Sequence, residues 1–368
     1  MSKRLKASHP DQPRIPTLTA ETRQKLVTAA NEYGSLAPWT WMHDSELCGV
    51  CDPANGEILL CSVLGRLREV FALLVFRHDT GRRWVLNTIL NDGRPEGLED
   101  GESGFEQDCL KLEFVRKTEL TEEDRAVHTD ARCSPSIKRG CVWPVFRSFV
   151  PGCYPWYLTQ AEAELLFYVL PRADAFARLL RERPNVGERR MQGEVPMLPD
   201  AFDPAAGPLR PEDLDWQPII PAPDPPVREC VLDEATVSRL LKLPRTKGFH
   251  LELDLFYFVR PVADIDRPYF PKAALAVDRV SGFAGGLKLT ESRAHPGAGA
   301  LAEVLAGAML KMGHRPETLR VQRGLVARML APAAKQLGIP VLEDFELPAL
   351  NYIRAELEAA SPRFGASL

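Results

Sequence analysis

Ten of the 32 prolines fall between Val195 and Val227, at positions 196, 199, 204, 208, 211, 218, 221, 223, 225 and 226. Proline lacks a backbone donor and blocks the turn before it, so this density predicts no helix and no central strand. A break in the chain follows: residues 17–194 form one domain, 195–227 a proline-rich connector, and 228–368 a second domain. The 368-residue length exceeds the usual size of one domain and agrees with the division. Trp216, Ile219 and Ile220 predict that the connector docks on a domain instead of extending freely.

The two flanking parts have the apolar content of ordinary globular protein, 45% hydrophobic against 26% charged. Runs such as Leu165–Leu170 are far too short to span a bilayer. The basic start, Met1 to Lys6, is followed by Pro10, Asp11, Pro13 and Pro16 where an export signal needs an apolar core, which predicts a cytoplasmic protein with no membrane contact. Net charge is −4. From Glu229 onward there are 18 Lys+Arg against 16 Asp+Glu, a balance that permits nucleic-acid contact without requiring it.

Eight cysteines in such a chain are expected to be reduced. Cys48-Gly-Val-Cys51 has redox or zinc spacing. It lies in a strand-like run, however, where residues three apart face opposite sides, and no second pair completes four ligands. These thiols are therefore expected to be small buried hydrophobes, with no metal and no cofactor.

In the first part the apolar spacing predicts a helix from Thr19 to Tyr33, closed by Gly34 in a left-handed conformation. Strands follow at Glu46–Cys51, Glu57–Val63 and Val70–Phe76, the first two joined by the turn residues Asp52–Gly56. A helix at Trp84–Leu90, a strand at Cys109–Val115 and a short helix from Thr121 come next. Thr159 and Glu162 make a capping box for a helix that Pro171 breaks, with a second helix running on to Leu180. This half is α+β.

The second part opens with a helix capped by Asp233 and ending before Pro244. Strands are predicted at His250–Phe258, Ala273–Asp278 and Phe283–Leu289, then a helix from Gly299 to Gly313. Strand Thr318–Gln322, a helix ending at Gly338, strand Ile339–Leu342 and a helix with Pro348 in its first turn complete an α/β order, β-β-β-α-β-α-β-α.

That order resembles the ribonuclease H-like fold, and three strings resemble the core of retroviral-type integrases and transposases. Asp278-Arg-Val-Ser-Gly282 is similar to the turn between that core's second and third strands. Gly313 to Gly324 is similar to its fourth strand, and Leu337 to Val341 to the lead-in of its fifth. The resemblance covers roughly Phe249 to Leu357. It implies three carboxylates binding two divalent metals for phosphodiester chemistry. Carried over, the first is Asp254, the second position holds Gln322, and the third falls nearest Glu356, with Glu346 a further candidate. An amide at position 322 brings no charge to a site that needs it, which implies a catalytically silent relative of the fold. Asp254 also fits an exposed strand position between Leu253 and Leu255, and Asp278 fits a turn residue bonding its own backbone. Glu343, Asp344 and Glu346 fit the negative charge favoured before a helix.

Arg315, Arg320, Arg323 and Arg328, with His314, form a local basic run that suits a solvated face or nucleic-acid contact. Ser35–Trp39, Val50–Pro53, Cys61–Gly65, Trp143–Ser148 and Pro155-Trp156 resemble a family of uncharacterised bacterial proteins over nearly the whole first half. That resemblance implies architecture and no chemistry. Trp39, Trp143, Tyr154 and Trp156 fit either a ligand groove or the packing of a domain edge. No phosphate loop, nucleophile elbow or zinc helix occurs. Together these features predict a non-enzymatic binding or adaptor protein with a nucleic-acid or protein partner; the alternative is a divergent Mg- or Mn-dependent nuclease using Asp254, Glu356 and Glu346.

Overall fold

The computed structural model describes residues 13–90, 102–130, 142–186, 194–203, 207–218, 220, 226–291 and 297–360. Cys133, Cys141, Ile219 and the prolines at 204, 221, 223 and 225 lie outside the described residues. The architecture is mixed α and β, with two sheets and, among the described residues, eight α-helices.

Helix α1 (Ala20–Leu36) starts where Thr19 accepts a hydrogen bond from the Thr22 N–H, and it buries Leu26, Val27, Ala30 and Tyr33. It continues past Gly34. The left-handed residue is Ala37, at φ 52°. Gly34 serves a different end, because a Cβ there would lie 2.4 Å from Phe114 Cε1. The glycine lets α1 approach the sheet.

That sheet has seven strands. β1 (Cys48–Cys51), β2 (Ile58–Leu64), β3 (Ala72–Phe76), β4 (Cys109–Arg116) and β5 (Val142–Phe149) pair antiparallel in sequence order. α2 (His78–Val85) and a π-helical turn over Leu86–Leu90 follow β3, so the helix expected at Trp84–Leu90 begins six residues earlier. α3 (Glu122–Asp130) precedes β5. α4 (Gln160–Glu182) carries the expected Thr159–Glu162 capping box but is one helix through Pro171. Burial overrides the proline: Leu166, Val169 and Leu170 before it and Ala173, Phe176 and Ala177 after it share one apolar core.

β6 (Glu194–Met197) and β7 (Asp215–Pro218) come from the proline-rich stretch and complete the order β5-β4-β3-β2-β1-β6-β7. The prolines are tolerated because these strands ask little of them. β6 meets β1 in parallel through Gly49 and Met197 alone, and β7 is an edge. Trp216 packs against the first core as expected, whereas Ile220 is exposed. α1 and α4 cover one face of the sheet, and α2 covers the other over Leu60, Leu74 and Phe76.

The second sheet follows α5 (Glu234–Leu241). β8 (His250–Tyr257), β9 (Lys272–Asp278), β10 (Ala284–Thr290), α6 (Ala298–Met312), β11 (Thr318–Val321), α7 (Gly324–Leu337), β12 (Val341–Glu343) and α8 (Pro348–Ala360) reproduce the expected order. In space the strands run β10-β9-β8-β11-β12. β8, β11 and β12 are parallel, and β9 is antiparallel to both of its neighbours. α6 and α7 bury Leu251, Leu253 and Leu255 on one face. α8 covers Phe256, Leu275 and Val277 on the other. Among the described residues no helix is long and apolar enough to cross a membrane.

Candidate functional site

Alternation along β8 puts Glu252, Asp254 and Phe256 under α8. Neither acid is exposed: Glu252 is 0% and Asp254 1% accessible. Asp254 is therefore not the solvated strand residue that its position between leucines also suggested. Burying a carboxylate requires a partner, and Arg323, in the N-cap position of α7, supplies one with Nε 3.3 Å from Asp254 Oδ2.

The same guanidinium reaches into the first half of the chain. Its Nη1 donates to Glu102 Oε2 at 2.7 Å and Nη2 to Glu102 Oε1 at 3.2 Å, while Nη1 also donates to the Leu255 carbonyl at 2.9 Å. Glu102 opens a 3-10 turn, Glu102–Glu106, and is itself buried. It accepts from the Tyr257 N–H at 3.1 Å and from Arg354 Nη2 at 3.5 Å. Arg354 lies on α8 with its guanidinium 4.3 Å from the Phe256 ring centre. The rest of the turn docks alongside. Phe105 packs between Tyr257 and Phe270, and the Tyr257 hydroxyl donates to Glu106 Oε1 at 2.6 Å. Burial first, and Glu106 next, push the Tyr257 hydroxyl well above its ordinary range.

Further contacts extend this interface. The Tyr154 N–H donates to Pro268 O and the Phe270 N–H to Gly152 O, while Arg267 donates to the Ser148 carbonyl. Trp156 Nε1 donates to Arg14 O, and the Arg14 N–H to Ile265 O. The two sheets are thus joined by hydrogen bonds as well as by the covalent connection.

Gln322 follows β11, which pairs with β8 so that Arg320 stands opposite Glu252. Two residues further on, Gln322 and Asp254 lie side by side at the same end of adjacent strands. Gln322 Oε1 is buried without a hydrogen-bond partner. Glu346 and Glu356 are exposed and do not join them. The charged residue of α8 that reaches the cluster is Arg354, a cation, whereas the resemblance to integrases placed the third acid nearest Glu356. Two divalent ions need several anionic oxygens to offset their mutual repulsion. Asp254 is already paired with a guanidinium, Gln322 is neutral and Arg354 is positive, so these residues do not fit such a metal pair. Among the described residues no group of three or more His, Cys, Asp or Glu side chains could hold a metal ion.

A second ionic chain runs beside the first. Arg279 Nη1 donates to Glu252 Oε1 at 3.1 Å and to Asp344 Oδ2 at 3.0 Å, and Arg320 Nη1 donates to Asp344 Oδ2 at 2.7 Å. Burial pushes the Glu252 carboxyl up, although the Leu350 N–H and Arg279 pull against it; Arg320 holds Asp344 down. Asp278 caps its own turn through the Val280 and Ser281 N–H groups.

The basic run expected at 315–328 does not form one surface. Arg320 and Arg323 are engaged by carboxylates, Arg315 by the Leu243 and Leu337 carbonyls, and Arg328 is exposed on α7. The aromatics take the packing role. Trp39 is buried against Phe71 and Phe114, Trp156 is buried, Tyr154 packs towards Phe270, and Trp143 is half-buried edge-on to His128. A cavity of about 300 Å³ opens instead beside Leu18, Val127, His128 and Phe146. Cys48 faces Cys61 across β1 and β2, and that neighbour together with burial holds its thiol well above the usual range. Cys51 has a different neighbour: burial first, and the Asp200 carboxylate next, raise its thiol.

Nothing in the sequence marked Glu102 or Arg354 as part of this cluster. Their partners are hundreds of positions away, and no local spacing encodes such pairs.

A two-domain α+β protein with a buried, charge-balanced cluster between its halves is what these observations define. Residues 24–197 match the family model described as Domain of unknown function (DUF7309), and residues 236–358 match that described as Domain of unknown function (DUF6930). The first match runs from α1 through β6, the second from α5 into α8. No curated protein and no solved structure matches the chain.

Proposed function

We propose that the chain is a non-enzymatic binding or adaptor protein whose second half is a catalytically degenerate ribonuclease H-like domain. The strand order supports the fold reading: the strand bearing Asp254 lies beside the strand leading to Gln322, as the resemblance to integrases requires. One observation carries the functional reading. The Arg323 guanidinium lies between Asp254 and Glu102, so the charge that metal ions would supply comes from a side chain of the protein itself.

Arg354 reinforces the effect from α8. A carboxylate already neutralised by a guanidinium 3.3 Å away has little affinity left for a divalent ion, and a neutral amide beside it adds none. The cluster then serves to hold the halves in register and leaves binding to other surfaces.

The test is an assay of DNA and RNA cleavage by the full chain with Mg²⁺ or Mn²⁺. The expected result is no metal-dependent product, unchanged by Asp254→Asn. Metal-dependent cleavage by the unaltered protein, abolished by Asp254→Asn, would refute the silent-site reading.

A further inference from the structure

The turn that joins α5 to β8 lies against the turn that leads into β11, and together they form a basic surface. Arg239 and Lys242 are exposed in and just after the last turn of α5, and Arg245 and Lys247 are exposed in the connection that follows. We propose that this surface binds the phosphodiester backbone of double-stranded nucleic acid without reading its sequence.

The cations are displayed on a rigid frame. The Arg315 N–H donates to Pro244 O at 2.8 Å and the Thr246 N–H to Arg315 O at 3.1 Å, which zips the two turns together. Arg315 Nε donates to Leu243 O at 3.0 Å and its Nη1 to Leu337 O at 3.3 Å, bringing in the end of α7 with the exposed Lys335. Arg245 Nη2 donates to the Glu317 carbonyl at 3.0 Å and keeps its charge at the surface.

The local charge balance is positive. Glu317 is the acid embedded among these cations, and its carboxyl is held low by the Gly248 N–H first and by His250, Lys247 and Arg245 besides. Elsewhere Lys25, Arg178, Arg210 and Lys288 stand in surface ion pairs. No described carboxylate forms an ion pair with Arg239, Lys242, Lys247 or Lys335. A local excess of positive charge persists in a chain whose net charge is −4.

The surface also lacks what other partners would need. Leu241, 46% exposed, is its large apolar residue, and Phe249 is packed against the second core. Membrane insertion and protein hot spots call for aromatic or apolar anchors, and single strands call for stacking platforms. A duplex needs neither, because its phosphates are dense and regularly spaced. The surface lies where β11 begins whereas Arg323 lies beyond its other end, so this inference does not depend on the silent-site reading.

Fluorescence anisotropy of the full chain would test it, using labelled duplex DNA, duplex RNA and a single strand of unrelated sequences, with polyglutamate as competitor. The expected result is binding to one or both duplexes, insensitive to sequence. Affinity should fall on the order of 100-fold between about 50 and 200 mM salt, as about four phosphate contacts require. Lys242→Glu/Lys247→Glu should weaken binding at least about tenfold at an unchanged melting temperature. Lys117→Glu/Arg125→Glu, an equal charge change on the first half, should leave it unaltered. Tighter binding to the single strand, equal competition by polyglutamate, equal loss in both double variants, or no binding at low salt would each overturn the proposal. A preference between the DNA and RNA duplexes would identify the source of the phosphates.

Discussion

Arg323 Nη1 and Glu102 Oε2 meet at 2.7 Å across 221 positions of sequence, with neither side chain more than 6% exposed. Breaking such a pair strands a buried charge, a loss of about 3–5 kcal/mol. Arg323→Ala leaves Asp254 uncompensated and Glu102 with Arg354 alone, and is expected to lower unfolding stability by that amount in urea titration. Glu102→Gln should cost less, because Asp254 still balances the guanidinium. A loss under about 1 kcal/mol for Arg323→Ala would mean that water replaces the guanidinium.

Gly34→Ala tests the packing of α1. Helix propensity alone favours alanine by about 1 kcal/mol. The added Cβ, however, would sit 2.4 Å from Phe114 Cε1, and overpacking costs about 1–3 kcal/mol. The clash should win, so the variant is expected to melt at a lower temperature. A higher one would show that Phe114 moves aside readily.

Because β6 and β7 complete the first sheet, a division after Pro218 is expected and can be tested without relying on chance cleavage. A protease site substituted into residues 221–225 should allow a single cut. The two pieces are expected to co-elute in gel filtration, held by Glu102, Phe105, Glu106 and Arg267 across the interface. Each piece should separate, still folded, when Arg323→Ala is added. Pieces that precipitate on cutting would argue for one indivisible core.

Acid sensitivity follows from Asp124 and Glu162. Burial acts to raise both carboxyls, but Arg147 and Thr121 for the one, and Ser148, Thr159 and Arg77 for the other, leave them below their ordinary values. A lowered folded-state value means that the stabilisation is complete above the unfolded-state range and drains away as pH falls through the folded value. The penalty of Asp124→Asn should therefore be full near neutrality and shrink below about pH 4. Glu252 has the opposite sign, since burial raises it, and Glu252→Gln should matter least at neutral pH, where ionisation works against the fold. Urea titrations across this pH range check both.

What the sequence disclosed and what it hid divide along one physical line. β8, β9 and β11 were legible because alternation and turn residues are local, and the Thr159–Glu162 cap was legible for the same reason. The span of α4 through Pro171 was not, because its continuity depends on a face buried against α1. β6 and β7 were hidden by prolines that their marginal pairing can accommodate. Asp254 was found by resemblance. Its partner Arg323 looked like part of a surface charge run, since sequence cannot show that a distant glutamate folds over it.

The position of Glu102 also orders events in time. The first half leaves the ribosome with this carboxylate bare, and Arg323 is added 221 residues later. At about 5–20 residues per second that interval is on the order of ten to forty seconds. The first sheet can form meanwhile, because its strands β1–β5 pair in sequence order. The turn Glu102–Glu106 cannot reach its final seat until β8, β9 and the start of α7 have been made, and Arg354 comes later still. A chain stopped short of β8 would therefore present Glu102, Phe105 and Glu106 to solvent: a charged and aromatic mark of incompleteness that vanishes only when the second half closes over it.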